Sequence, residues 1–147
     1  MPERLFAQLD DDASAAPAIA AGTFRAFAVA PALRAHVASV LAYRETFAPG
    51  HETLERVLPD GAVRLAFNLG DAPGVGDEPG NAVEAIGAST AAALVRLRGR
   101  IDGLTVTLCP GAAAVLLGVP AGEIADGAVP LDALWGRAGA ALLERLA

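Results

Sequence analysis

Apolar and polar residues alternate with period two over most of the middle of this chain. Across residues 63–69 the alternation is clean: Val63, Leu65, Phe67 and Leu69 face one way, Arg64, Ala66 and Asn68 the other, which is the pattern of a β-strand. Residues 52–58 read as a strand ahead of it. Pro59-Asp60-Gly61 joins the two as a turn, proline presetting φ and glycine accepting a positive one. Residues 40–47 carry the same rhythm, with Leu41, Tyr43, Glu45 and Phe47 on one face. Residues 94–98 alternate again, with Arg96 and Arg98 sharing a face, and residues 104–109 return as a strand with Thr105 and Thr107 together. Shorter strands are expected at 24–29 and 83–87. A helical turn or two from Pro31 takes in Leu33, Arg34, His36 and Val37. Residues 70–82, rich in glycine and proline, predict a long mobile loop with an exposed tip.

The period changes after Pro110-Gly111. The run Ala112-Ala113-Ala114-Val115-Leu116-Leu117 predicts a helix closed by Gly118, and residues 121–125 add a helical turn. Pro130 opens a last segment in which Leu131, Leu134, Trp135, Ala138, Leu142 and Leu146 follow helical spacing, so one amphipathic stretch is expected over 131–146. Strands first and helices afterwards predict an α+β domain: a compact β-barrel or sandwich over residues 23–147, with a helical part from about residue 111. Residues 1–22, acidic and alanine-rich, read as a loosely held arm.

Composition narrows the function. A chain of 147 residues with 54% hydrophobic and 19% charged positions suits one globular domain with a real core. Every apolar run is interrupted well short of the ~20 residues a membrane span needs, and the N-terminus lacks the pattern of an export signal. No membrane association and a cytoplasmic location are the expectations. The net charge of -6, with all 11 basic residues arginine, disfavours a nucleic-acid grip by this chain itself.

The candidate chemistry is sparse. The single cysteine, Cys109, excludes an internal disulfide and a cysteine-based zinc site. His36 and His51 are far apart and lie in no pattern that converges imidazoles on one ion, so no metal and no cofactor are expected. Cys109 reads as a small buried hydrophobe, no serine sits in a nucleophile-elbow context, and the glycine-rich stretch lacks the Lys-Ser/Thr end of a phosphate loop. What remains is the polar side of the strands. On an open sheet Arg64 and Asn68 would face water, which is the favoured outcome of alternation alone. In a barrel the same side would turn inward, where a guanidinium binds a carboxylate ligand. Arg64, Asn68, Arg96 and Tyr43 are therefore the candidate ligand anchors.

The ordered pieces Leu58-Pro59-Asp60-Gly61, Leu108-Cys109-Pro110-Gly111, Leu116-Leu117-Gly118-Val119-Pro120, Glu123-Ile124-Ala125-Asp126 and Val129-Pro130-Leu131-Asp132-Ala133-Leu134-Trp135-Gly136 together resemble the N-terminal domain of a subgroup of AraC-type bacterial transcription regulators. The similarity covers about residues 24–147. Two positions depart from that pattern: Ala112 stands where a second glycine follows Pro-Gly, and Ala62-Val63-Arg64 follows the Pro-Asp-Gly turn. The resemblance implies a cupin-like sensing domain, a small-molecule effector and a helix-mediated homodimer. It also implies DNA contact only through a helix-turn-helix part expected to be absent from this chain. On this reading the domain senses an effector, or dimerises, and is not an enzyme. The alternatives are a small metal-free cupin-like enzyme such as an isomerase, and an interaction module whose shell holds no cavity.

Overall fold

A computed structural model describes residues 24–146; the arm expected over 1–22 lies outside the described residues. The architecture is α+β, with two antiparallel sheets and a short helical segment at the C-terminal end. Strands β1 (Phe24–Phe27), β2 (Val37–Thr46), β4 (Arg64–Asn68), β6 (Val83–Ile86), β8 (Arg100–Leu108) and β9 (Ala128–Pro130) form a six-stranded sheet in the order β1-β2-β8-β4-β6-β9. Strands β3 (Glu52–Val57), β7 (Ala93–Arg98) and β5 (Gly74–Val75) form a second sheet in the order β3-β7-β5. Helices α1 (Ala112–Leu117), α2 (Leu131–Trp135) and α3 (Arg137–Leu146) complete the chain.

The period-two pattern divides the large sheet into two working faces. Val63, Leu65, Phe67, Ala85 and Leu108 pack with Leu117 and Leu131 of the helices in one core. Tyr43 and Ile101, on the other face, pack with Val95 and Leu97 of the small sheet in a second core. The large sheet is thus a middle layer with helices on one side and the small sheet on the other. That arrangement corrects the expectation that the Arg64–Asn68 side meets water. Leu65, Ala66, Phe67 and Asn68 are all buried, successive residues on both faces, because a second sheet covers the side that an open sheet would expose.

Four other expectations shift. The 70–82 stretch is not wholly loop: Gly74 and Val75 pair with Arg96 and Val95, and a tight turn closes through Val75 N–H to Glu78 O at 3.0 Å and Glu78 N–H to Val75 O at 3.0 Å. The helical turn from Pro31 is a single 3-10 turn, and Val37 already belongs to β2. Leu69 leaves the apolar face and is exposed, because β4 ends at Asn68 and both Leu69 N–H and Gly70 N–H donate to Asp102 O. The last amphipathic stretch is two helices, broken where Gly136 takes φ 58° and ψ -138°. Its apolar residues mostly turn inward: Leu134, Trp135 and Leu142 pack on the first core, and Trp135 Nε1 donates to Leu116 O at 2.8 Å.

The α2–α3 corner depends on a missing side chain. A Cβ on Gly139 would lie 2.8 Å from the carbonyl carbon and oxygen of Leu131, and Leu131 is fully buried. Alanine is the better helix former by about 1 kcal/mol, but here overlap with backbone outweighs it. Gly139→Ala is expected to destabilise the domain by about 1–3 kcal/mol, read as a lower denaturation midpoint with an unchanged slope.

Candidate functional site

Between the two sheets lies a cavity of about 420 Å³. Its floor is the inner face of the large sheet: Tyr43 from β2, Arg64, Ala66 and Asn68 from β4, Glu84 from β6 and Thr105 from β8. Val57 of β3, Val75 of β5 and Val95 of β7 form the facing apolar wall. Pro73, Pro79 and Asn81 bring the 70–82 stretch across one side, and Gly87, Ser89 and Asp126 close another. The volume falls within the range of small-molecule pockets.

The polar groups on the floor form a connected chain. The Tyr43 hydroxyl donates to Asn68 Oδ1 at 2.8 Å and is itself hydrogen-bonded by the Thr105 hydroxyl. Asn68 Nδ2 donates to Asn81 O at 2.8 Å. Asn81 then donates from its backbone N–H, at 3.1 Å, and from Nδ2, at 2.9 Å, to Glu84 Oε2. Side chains from four strands and one loop are fixed by this chain, which is what a rigid recognition surface requires. Tyr43 stands where it does because its strand partner is Gly103. A Cβ there would come within 2.8 Å of the Tyr43 hydroxyl and closer still to Phe67 O.

Burial pushes the Tyr43 phenol up to about 12, reinforced by the charges of Glu84 and Asp102 and opposed by the hydrogen bond from Thr105. At the mouth, the Asp126 carboxylate accepts from the Thr90 N–H and hydroxyl, which hold it below the usual carboxylate range. Asp126 takes a positive φ of 58°, uncommon for a residue with a side chain. Together with Gly87 N–H donating to Gly127 O at 2.9 Å and Asp126 N–H donating to Ala88 O at 3.0 Å, this contact ties the 88–90 segment to the 125–127 segment.

Three of the four anchors expected from sequence line the cavity: Tyr43, Arg64 and Asn68. Arg64 is not a free guanidinium. Both of its terminal nitrogens bond to the Asp60 carboxylate, and Asp60 Oδ1 also accepts the Ala62 N–H at 2.9 Å. The Pro-Asp-Gly turn therefore shapes the hairpin and neutralises the arginine beside it. Arg96 is absent from the lining. Val95 and Leu97 take the inner face of β7, and Arg96 sits 3.6 Å from Glu52 and 3.5 Å from Asp77 in two ion pairs.

Glu84, Asn81, Thr105 and Asp126 were not among the expected anchors. The sequence does hold a signal for two of them: a lone acid inside the apolar strand Val83-Glu84-Ala85-Ile86, and paired threonines on one face of β8. Among the described residues no three His, Cys, Asp or Glu side chains gather in a way that could hold a metal ion, and no helix is long and apolar enough to cross a membrane.

Residues 25–130 match a family model described as a domain of unknown function, DUF6597. The chain belongs to the DUF6597 family. Comparison with curated proteins and with solved structures gave no match. The DUF6597 match runs from β1 to the end of β9 and so includes every strand that lines the cavity.

The chain has one tyrosine, so its ionisation is read without ambiguity. In the folded protein the tyrosinate absorbance should rise with a midpoint near 12, and in denaturant near the ordinary value of about 10. Because the folded state holds the proton more tightly, stability is fully present below about pH 10 and falls as pH rises toward 12, by about 2–3 kcal/mol in all. Alkaline denaturation curves of the wild type and of Tyr43→Phe, which lacks the proton, separate this contribution from other groups.

Proposed function

We propose that this chain is the effector-sensing domain of an AraC-type bacterial transcription regulator, built as a cupin-like shell around a small-molecule site. The observation that carries the reading is the cavity between the sheets, with its floor of hydrogen-bonded side chains and its wall of valines. The ordered motifs from the Leu-Pro-Asp-Gly hairpin to the Val-Pro-Leu segment supply the link to AraC-type regulators. DNA contact is assigned to helix-turn-helix units outside these 147 residues, and the site of action to the cytoplasm. The chain acts as a homodimer, with the exposed side of α3, where Leu146 projects, as the face offered to the second copy.

Binding fits the cavity better than catalysis. A general acid or base works best with its pKa near the operating pH, and the Tyr43 phenol is pushed up to about 12 while bonded to both Asn68 and Thr105. Arg64 is committed to Asp60. The interaction-module alternative needs a filled shell, and about 420 Å³ of space between the sheets argues against it.

A thermal-shift screen against small metabolites tests the reading. A ligand present at about 100 times its Kd adds about 2.7 kcal/mol, enough to raise Tm by a few degrees. Ala66 points into the cavity and is buried, so Ala66→Phe should fill the space and abolish that shift while the variant keeps a cooperative transition of its own. A broad screen with no shift, alongside a stable dimer in solution, would instead favour the interaction module.

A further inference from the structure

Among the described residues, the cavity lining holds four acids, Asp60, Glu78, Glu84 and Asp126, against one base, Arg64. Arg64 and Asp60 cancel. Glu78 is exposed at the rim, and Asp126 is taken up by Thr90. Glu84 is different, because its residue is only 7% exposed. Its Oε2 accepts from the Asn81 backbone N–H and from Asn81 Nδ2, whereas its Oε1 accepts no hydrogen bond among the described residues. The ion pairs of the described residues join Arg44 and Arg100 to Asp102, Arg64 to Asp60, and Arg96 to Glu52 and Asp77; none reaches Glu84.

A carboxylate held largely out of bulk water favours a cation beside it, and the two neutral donors on Oε2 leave Oε1 open to one. The donors of the rest of the floor are turned elsewhere: Tyr43 gives its proton to Asn68, Asn68 Nδ2 donates to Asn81 O, and the Thr105 hydroxyl bonds Tyr43. On the floor Arg64 Nε also lacks a partner but is itself sealed from the space; the unpartnered atom open to it is the Glu84 Oε1 carboxylate oxygen, opposite the valine wall. We propose that the effector of this cavity is a small organic ammonium ion whose N–H donates to Glu84 Oε1 while its hydrocarbon part lies against Val57, Val75, Val95 and Ile86. This inference rests on the sensing reading and narrows its ligand class. It also reverses the charge expected from sequence, because Asp60 occupies the guanidinium that was to meet a carboxylate ligand.

The test uses one ring with three charges. Benzylammonium, benzyl alcohol and benzoate are titrated into the full chain, and binding is read from cavity resonances by protein-observed NMR. Benzylammonium should bind about tenfold or more tightly than the other two, the margin of a charge-assisted over a neutral hydrogen bond. Glu84→Gln should erase that preference. If the variant does not fold, as judged by circular dichroism, the ranking of the three probes on the wild type decides alone. Benzoate or benzyl alcohol binding as tightly as the amine, or an undiminished amine preference in Glu84→Gln, overturns the ammonium class and leaves the sensing reading standing. If none of the three perturbs the cavity, the ammonium proposal falls, and the metabolite screen decides separately whether the cavity binds anything.

Discussion

Strand β4 is buried on both faces, and the organisation of the domain follows from that constraint. A strand with one wet face can carry arginine and asparagine on that face at little cost. A strand between two cores must pair them, because an unpartnered polar group in a low-dielectric interior costs on the order of 1–3 kcal/mol. Arg64 is paired at its two terminal nitrogens by the turn that precedes its own strand, through Asp60, and only its Nε is left without a partner. Asn68 is paired on both ends of its amide, by Tyr43 from β2 and by the backbone of Asn81 from the crossing loop. The pairing partners come from opposite edges of the cavity, so satisfying β4 also fixes the positions of the elements that enclose it.

Close backbone approaches hold the same enclosure. Gly103 admits the Tyr43 ring over β8, and Gly87 lets the end of β6 lie against the backbone of Ile124. Neither position tolerates a side chain without moving backbone or a ring. The cavity is therefore a product of two opposed requirements. The sheets must approach closely at one end, where Leu97 and Ile101 are almost fully buried, and stay apart at the other, where small residues such as Ala66 and Ala93 line open space.

Alternation made the strands legible and divided residues 63–67 correctly between two faces, but it is silent on what covers each face. Water and a second sheet leave the same period-two pattern in β4. The covering residues are scattered over β3, β5 and β7, and β5 is only two residues long, too short to show any period inside a glycine- and proline-rich stretch. That is why residues 70–82 looked like loop. Arg96 failed for a different reason. Residues 94–98 alternate, but two parities are available, and the apolar pair Val95 and Leu97 claims the interior, which leaves Arg96 with Leu94 and Arg98 outside. The helical end departs from its spacing twice: residues 128–130 are not helical but strand β9, whose three residues are too few to show a period, and at Gly136 the spacing continues through a break that only the backbone angles reveal. Glu84 was legible as an odd acid in an apolar strand, yet its environment depends on Asn81, brought to it by hydrogen bonds from a loop that has no pattern of its own.

The same layering bears on how occupancy of the cavity could be felt elsewhere. Ala128 lines the cavity, pairs with Ile86 through β9, and lies three positions before Leu131, the fully buried first residue of α2. A ligand can shift an equilibrium only by the difference in its affinity for two arrangements. β9 is an edge strand of three residues with the cavity on one side and the helical layer continuing directly from its end. β9 is already paired to Glu84 and Ile86, so a molecule whose affinity depended on that pairing would act on α2 through the chain itself. No longer route through the core is required, because the wall of the site and the start of the helix are the same short segment.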